Sequence, residues 1–272
     1  MKIKMSFFAN LLIKSQLDKF NAFIWNTNKN SFDPIINIKT INLDLIIGIE
    51  RQKKILLENT ENFALGNFTN NALLWGSRGN GKSTLIKSIF NKLSKSYKNL
   101  KLIQLNKNDI FDIESIYKKI SKYSEKRFII FIDDLSFEKI DNEYKIIKST
   151  LDGSIQNQPT NIILYVTSNR RHLMPRDMID NERSSAIHTD ESVDEKISLS
   201  DRFGLWIGFH NLDQSVYLDI IKNYCNHYKI SYDQNIEKRS IQWSVHRGNR
   251  TGRTAWQFII QLAAEKNLRI DF

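Results

Sequence analysis

Residues 76–84 read GSRGNGKST, with Gly76, Gly79 and Gly81 leading into Lys82, Ser83 and Thr84. Glycines at these spacings let successive backbone N–H groups turn toward a common point, where they can cradle phosphate oxygens. The apolar run NALLW precedes the stretch and the helix-like run LIKSIFNKLSK follows it. A phosphate seated there would also meet the partial positive charge of a helix N-terminus. In this pattern Gly76, Ser77, Arg78, Gly79, Asn80, Gly81, Lys82, Ser83 and Thr84 make the cradle. Lys82 reaches the outer phosphates of a nucleotide, and the Ser83 hydroxyl ligates Mg2+. A chance glycine turn is the bland alternative, and the flanks argue against it.

A divalent ion beside phosphates needs a carboxylate at the end of a neighbouring strand. RFIIFIDD supplies it, an apolar run that ends at Asp133 and Asp134. Asp133 is expected to hold the Mg2+ shell. Asp134 orients or deprotonates an attacking water, or else is a structural carboxylate. Glu138 and Glu143 follow as substitutes. ILYVTSN ends a further strand candidate at Asn169, which either reaches the phosphate or caps the segment after it. NKND at 106–109 matches the N-K-x-D pattern that selects guanine, but here it precedes the carboxylate strand instead of following it. Asn108 and Asp109 are better read as a helix start. The five histidines show no metal-ligand spacing, and the one cysteine, Cys225 in helix-like IIKNYCNHY, supports neither a zinc site nor a disulfide framework.

Positioning these groups requires a layered scaffold. The strand candidates are NALLWG, LKLIQLN, RFIIFIDD, NIILYVTSN and GLWIGFHNL, each short and mostly apolar, as for strands buried on both faces of a parallel sheet. Helix candidates over 82–97, 109–126 and about 138–151 lie between them, the last stopped by Asp152-Gly153. This alternation predicts a doubly wound α/β fold. Residues 1–45 read as an amphipathic helix carrying Phe7, Leu11, Leu12 and Phe20, then an irregular linker containing Pro34. Residues 213–272 carry helical periodicity without strand runs and predict a small helical domain. The polar stretch 170–200, opening with NRRHLMPR, is too long for a passive connection and reads as a contact surface or a solvated loop.

A chain of 272 residues with 41% hydrophobic content can bury a sizeable core. Its formal net charge of +10 fits a polyanionic partner such as DNA, or a general bias toward lysine, since the charge is scattered. The basic, partly apolar N-terminus is interrupted by Lys14 and Asp18 and lacks a small-x-small cleavage site, and no run approaches the length of a membrane span. The expectation is a soluble cytoplasmic protein with no membrane partner.

The phosphate loop, the strand ending in Asp133-Asp134 and the strand ending in Asn169 resemble the AAA+ ATPase superfamily in kind and order. The resemblance implies an α/β fold, a P-loop NTPase parallel sheet sandwiched by helices, with a small C-terminal helical lid. It divides the chain into an N-terminal helix and linker (1–42), an ATPase domain (43–212) and a lid (213–272). Asn169 matches the family's sensor 1. SLSDRFGLWIGF is similar to the segment that carries the arginine finger in bacterial initiator-type members, with Arg202 the match, although Arg202 could instead pair with Asp201 or Glu195. RGNRTGRTAWQF opens a helix as sensor 2 does, with Arg253 the match and Arg247 and Arg250 as rivals. LDLIIGIERQK resembles the segment that packs on adenine, through Ile46, Ile47 and Gly48.

More narrowly, NALLWGSRGNGKST, FIDDLSFE, LDGSIQNQPTNIILYVTSNRRHLMPR, EKISLSDRFGLW and GRTAWQF resemble a bacterial group of predicted ATPases known as domain of unknown function 815, over about residues 43–260. The resemblance implies ATP and Mg2+ as cofactors, and a homo-oligomeric switch or remodeller acting on a protein or nucleic-acid partner. The alternative is a nucleotide-dependent nucleic-acid or protein binding module with little turnover. A small-molecule kinase has no required place for Asn169, Arg202 and a helical lid together. Two departures stand out. Most AAA+ proteins have Asp-Glu where this chain has Asp133-Asp134, so hydrolysis is expected to be slow, partner-stimulated or served by another base. The region before residue 43 is also shorter than in those relatives, so any N-terminal recognition module is reduced.

Overall fold

The computed structural model describes residues 2–137, 142–152, 159–173 and 199–271. Its strands are β1 (Ala22–Asn26), β2 (Ser31–Ile35), β3 (Ala72–Gly76), β4 (Leu100–Leu105), β5 (Arg127–Ile132), β6 (Ile162–Ser168) and β7 (Leu205–Phe209). They form one sheet in the order β2-β1-β4-β5-β6-β3-β7. Every pairing is parallel except that of β1 with β2. All five strand runs read from the sequence are in it.

The helices are α1 (Lys2–Lys19), α2 (Glu50–Leu65), α3 (Lys82–Ser96), α4 (Ile113–Ile120), α5 (Asn142–Asp152), α6 (Gln214–His227), α7 (Gln234–His246) and α8 (Gly252–Glu265). Alternate strand residues sort them into layers. Leu73, Ile103, Ile130, Leu164 and Val166 face a core shared with Ile113, Ile116 and Ile120 of α4 and Tyr144 and Ile147 of α5. Leu74, Leu102, Phe131, Ile163 and Tyr165 face the opposite core, with Leu56 and Phe63 of α2 and Leu85, Ile89 and Phe90 of α3. Strands apolar on both faces leave no side for water, so helices must cover both. Helices α6–α8 close a third core around Tyr217, Ile221, Cys225, Phe258 and Ile259. Burial pushes the Cys225 thiol up to about 11, as suits a packing residue.

Two expectations change. The linker read across residues 20–45 contains the hairpin β1–β2, which pairs with β4 and extends the sheet. Pro34 obscures it, because proline has no N–H for a ladder. Here Pro34 lies opposite Phe23 on β2, the outermost strand, where proline is tolerated. At NKND the helix start is Asn106 rather than Asn108-Asp109. The Asn106 side chain and Asp109 close a reciprocal capping box over the 3-10 turn Lys107–Asp112, so both side chains are committed to the cap. The expected helix 109–126 is this turn followed by the shorter α4. Of the helix expected over 138–151, residues 138–141 lie outside the described residues, as do Gly153, Glu195 and most of the 170–200 stretch.

Candidate nucleotide cleft

The phosphate loop connects β3 to α3 with β6 and β7 on either side of β3, so the carboxyl ends of three strands surround it. An open α/β sheet binds ligands in such a crevice. A cleft of about 640 Å³ opens here. It is lined by Arg78 to Thr84 of the loop, by Asp133, Asp134, Thr167 and Asn169 at the strand ends, and by Gly252, Arg253 and Trp256 of α8. Its apolar end is made by Ile46, Ile47 and Ile49 before α2 together with Leu212, Ile220 and Tyr224.

The polar groups form one connected network. Lys82 is buried at the start of α3, and its Nζ donates to the carbonyls of Gly76 (2.7 Å) and Ser77 (2.9 Å) and to Asn169 Oδ1 (3.1 Å). Burial holds its ammonium down at about 8, opposed by the attraction of Asp134 and Asp133. Ser83 Oγ donates to Asp133 Oδ1 at 2.5 Å, and Thr167 Oγ1 donates to the same oxygen at 2.6 Å. Two hard oxygen donors, a hydroxyl and a carboxylate, therefore sit side by side, the chemistry that suits Mg2+. Asn169 Nδ2 donates to Asp134 Oδ1. Asn80 Nδ2 donates to the His210 carbonyl at 2.8 Å, tying the loop to the end of β7.

The helical bundle α6–α8 meets the loop directly. The backbone N–H of Arg253 donates to the Gly79 carbonyl at 3.0 Å. A Cβ on Gly79, whose φ is 82°, would lie 2.9 Å from Thr251 Oγ1 and 3.2 Å from Arg253 Cβ. Only glycine admits this approach. Thr251 is the N-cap of α8 and accepts from the N–H of Thr254, which aims the helix start at the loop.

The structure thus brings Arg78, Gly79, Asn80, Gly81, Lys82, Ser83, Thr84, Asp133, Asp134, Asn169, Arg253, Ile46 and Ile47 to one cleft. Gly76 and Ser77 lie beneath it and contribute the carbonyls that hold Lys82. Gly48 does not line it. At φ 79°, with a Cβ position 2.4 Å from Val216 Cγ1, it lets the chain pass close to α6. Arg202 does not line its own chain's cleft either, and it pairs with Asp152 at the end of α5 rather than with Asp201. Of the rivals to Arg253, Arg247 lies over the Trp243 ring and Arg250 donates to Gln214. Glu143 faces Lys107 and does not line the cleft, and Glu138 lies outside the described residues. Sequence reasoning missed Thr167, Tyr224 and Trp256. The last two, Tyr224 of α6 and Trp256 of α8, pack ring against ring at 5.3 Å, a contact between helices that sequence spacing does not reveal. Among the described residues no cluster of His, Cys, Asp or Glu forms a separate metal site.

A mostly parallel sheet with this loop, these strand-end groups and a C-terminal helical bundle defines an α/β fold of the P-loop AAA+ type. The family model described as "Protein of unknown function (DUF815)" matches residues 18–266, and the chain belongs to that family. No curated protein matches it. Among solved structures it is similar to a single-site variant of RuvB from Thermotoga maritima, at 19% identity and a TM-score of 0.53 over 84% of this chain and 66% of that one. It spans just under two thirds of that RuvB chain. It is also similar to domain III of the replication initiation protein DnaA from Thermotoga maritima (13% identity, TM-score 0.52, 85% of this chain and 91% of that one). A third likeness is to the Aeropyrum pernix ORC1 protein in complex with DNA (15% identity, TM-score 0.54, 84% and 65%). At these identities the likeness is one of fold. No described helix is long and apolar enough to cross a membrane.

Proposed function

We propose that this chain is a cytoplasmic, Mg2+-dependent ATPase that works as a homo-oligomeric switch or remodeller on a protein or nucleic-acid partner. The observation that carries this reading is the convergence of Lys82, the Ser83–Asp133 pair and Asn169 from the sheet with Arg253 from the lid. The phosphate loop holds the phosphates by its N–H groups and Lys82, and Ile46, Ile47, Tyr224 and Trp256 offer apolar surface to the base. Ser83 and Asp133 would hold Mg2+, which when bound neutralises phosphate charge. Asp134 accepts the proton of the attacking water, and Asn169 keeps that carboxylate in register with Lys82. Arg253 couples the terminal phosphate to the lid angle, and Arg202 acts on the cleft of a neighbouring subunit. The net charge of +10 makes DNA the first partner to try.

A second reading, a nucleotide-dependent nucleic-acid or protein binding module with little turnover, draws support from Asp134. Its carboxylate is one methylene shorter than the usual glutamate and is engaged by Asn169 and Arg78. Steady-state ATP hydrolysis against protein concentration, with and without DNA, separates the two. In the ATPase reading specific activity rises with concentration, and Arg202→Ala lowers turnover by roughly a thousandfold while ATP still binds. Activity that is flat with concentration and indifferent to Arg202→Ala would leave the binding module.

A further inference from the structure

The cations lining the cleft are differently engaged. The Lys82 ammonium is taken up by two loop carbonyls and Asn169, and Arg253 enters from the lid. Arg78 reaches from the loop to Asp134, its Nη2 lying 3.9 Å from Oδ2. Asp134 is pinned at its backbone, with φ 54° and its N–H donating to Thr167 Oγ1 at 2.9 Å. Asn169 holds Oδ1 of the carboxylate and Arg78 faces Oδ2. The oxygen left for a water is therefore the one that Arg78 holds.

We propose that Arg78 is a positioning residue that senses the terminal phosphate, its guanidinium passing from Asp134 to that phosphate and leaving Oδ2 open to water. This rests on the ATP reading above. The two side chains are 76% and 59% exposed, so neither is packed in place. An exposed ion pair at this separation is weak. A phosphate bears more charge than a carboxylate and meets the planar guanidinium fork with two hydrogen bonds, so the exchange runs toward phosphate. ADP lacks the γ-phosphate that would draw the guanidinium over, so Arg78 becomes a residue that tells ATP from ADP.

The test is a calorimetric titration of wild type, Arg78→Ala, Arg78→Lys, Asp134→Asn and the Arg78→Ala/Asp134→Asn double variant with the ATP analogue AMP-PNP and with ADP, in Mg2+. Arg78→Ala is expected to weaken AMP-PNP by ~10-fold or more and ADP far less, with partial recovery in Arg78→Lys. Asp134→Asn, by freeing the guanidinium, tightens AMP-PNP, and this gain shrinks when Arg78 is already alanine. Equal weakening of both nucleotides by Arg78→Ala, or an Asp134→Asn effect identical in the two backgrounds, would overturn the proposal. Wild type that binds neither nucleotide would overturn the ATP reading itself. Thermal melting of each variant keeps a folding defect apart from these outcomes.

Discussion

Lys101 on β4 is 1% exposed, its Nζ donating to the Phe20 carbonyl at 3.0 Å and to Asn21 Oδ1 at 2.7 Å. Burial holds it down at about 8, as it does Lys82. Below that pH both folded and unfolded chains carry the proton and the full cost of burying the charge is present. Between about pH 8 and the ordinary lysine value near 10.4 the unfolded chain binds more protons than the folded one, so stability rises with pH. Thermal stability of wild type should climb from pH 7.5 to 9.5, and Lys101→Met should flatten the climb by on the order of 2 kcal/mol. Equal slopes in the two proteins would show that Lys101 is not buried as described. At this scale the loop residues were legible because their spacing is local in the chain. Thr167 and Trp256 were not, since their place depends on the register of β6 against β5 and on the direction of α8.

The joint between the phosphate loop and α8 is the contact between elements on which the account depends. Gly79 permits it through a positive φ and the missing Cβ, and the Arg253 N–H closes it. Gly79→Ala should cost ~1–3 kcal/mol of stability from backbone strain and push Thr251 and Arg253 off the loop, weakening nucleotide binding as well. A variant with unchanged melting and unchanged nucleotide affinity would refute the joint. The parallel strands were legible because each is a short run apolar on both faces, as GLWIGFHNL shows for β7. The hairpin β1–β2 was not, because Pro34 reads as a breaker unless the strand is known to lie at the sheet edge. Helix α5 is described over Asn142–Asp152 and ends where Asp152-Gly153 predicts its stop.

At the scale of the whole molecule, the sheet and a helical bundle with its own core line one cleft together. In the proposed function, a nucleotide bound to both halves would favour one angle between them, and nucleotide state would become domain geometry. The two-part layout is legible in outline from the strand-to-helix rhythm and the strandless C-terminal region. The closeness of lid and loop was not, because it arises from backbone contacts that leave no signature in residue type. The most direct test is equilibrium dialysis of MgATP against wild type and Lys82→Ala. Saturable binding of about one ATP per chain is expected, weakened at least ~10-fold in Lys82→Ala without loss of fold. Absence of saturable binding in wild type, or equal affinity in the two proteins, would contradict the proposed ATP binding.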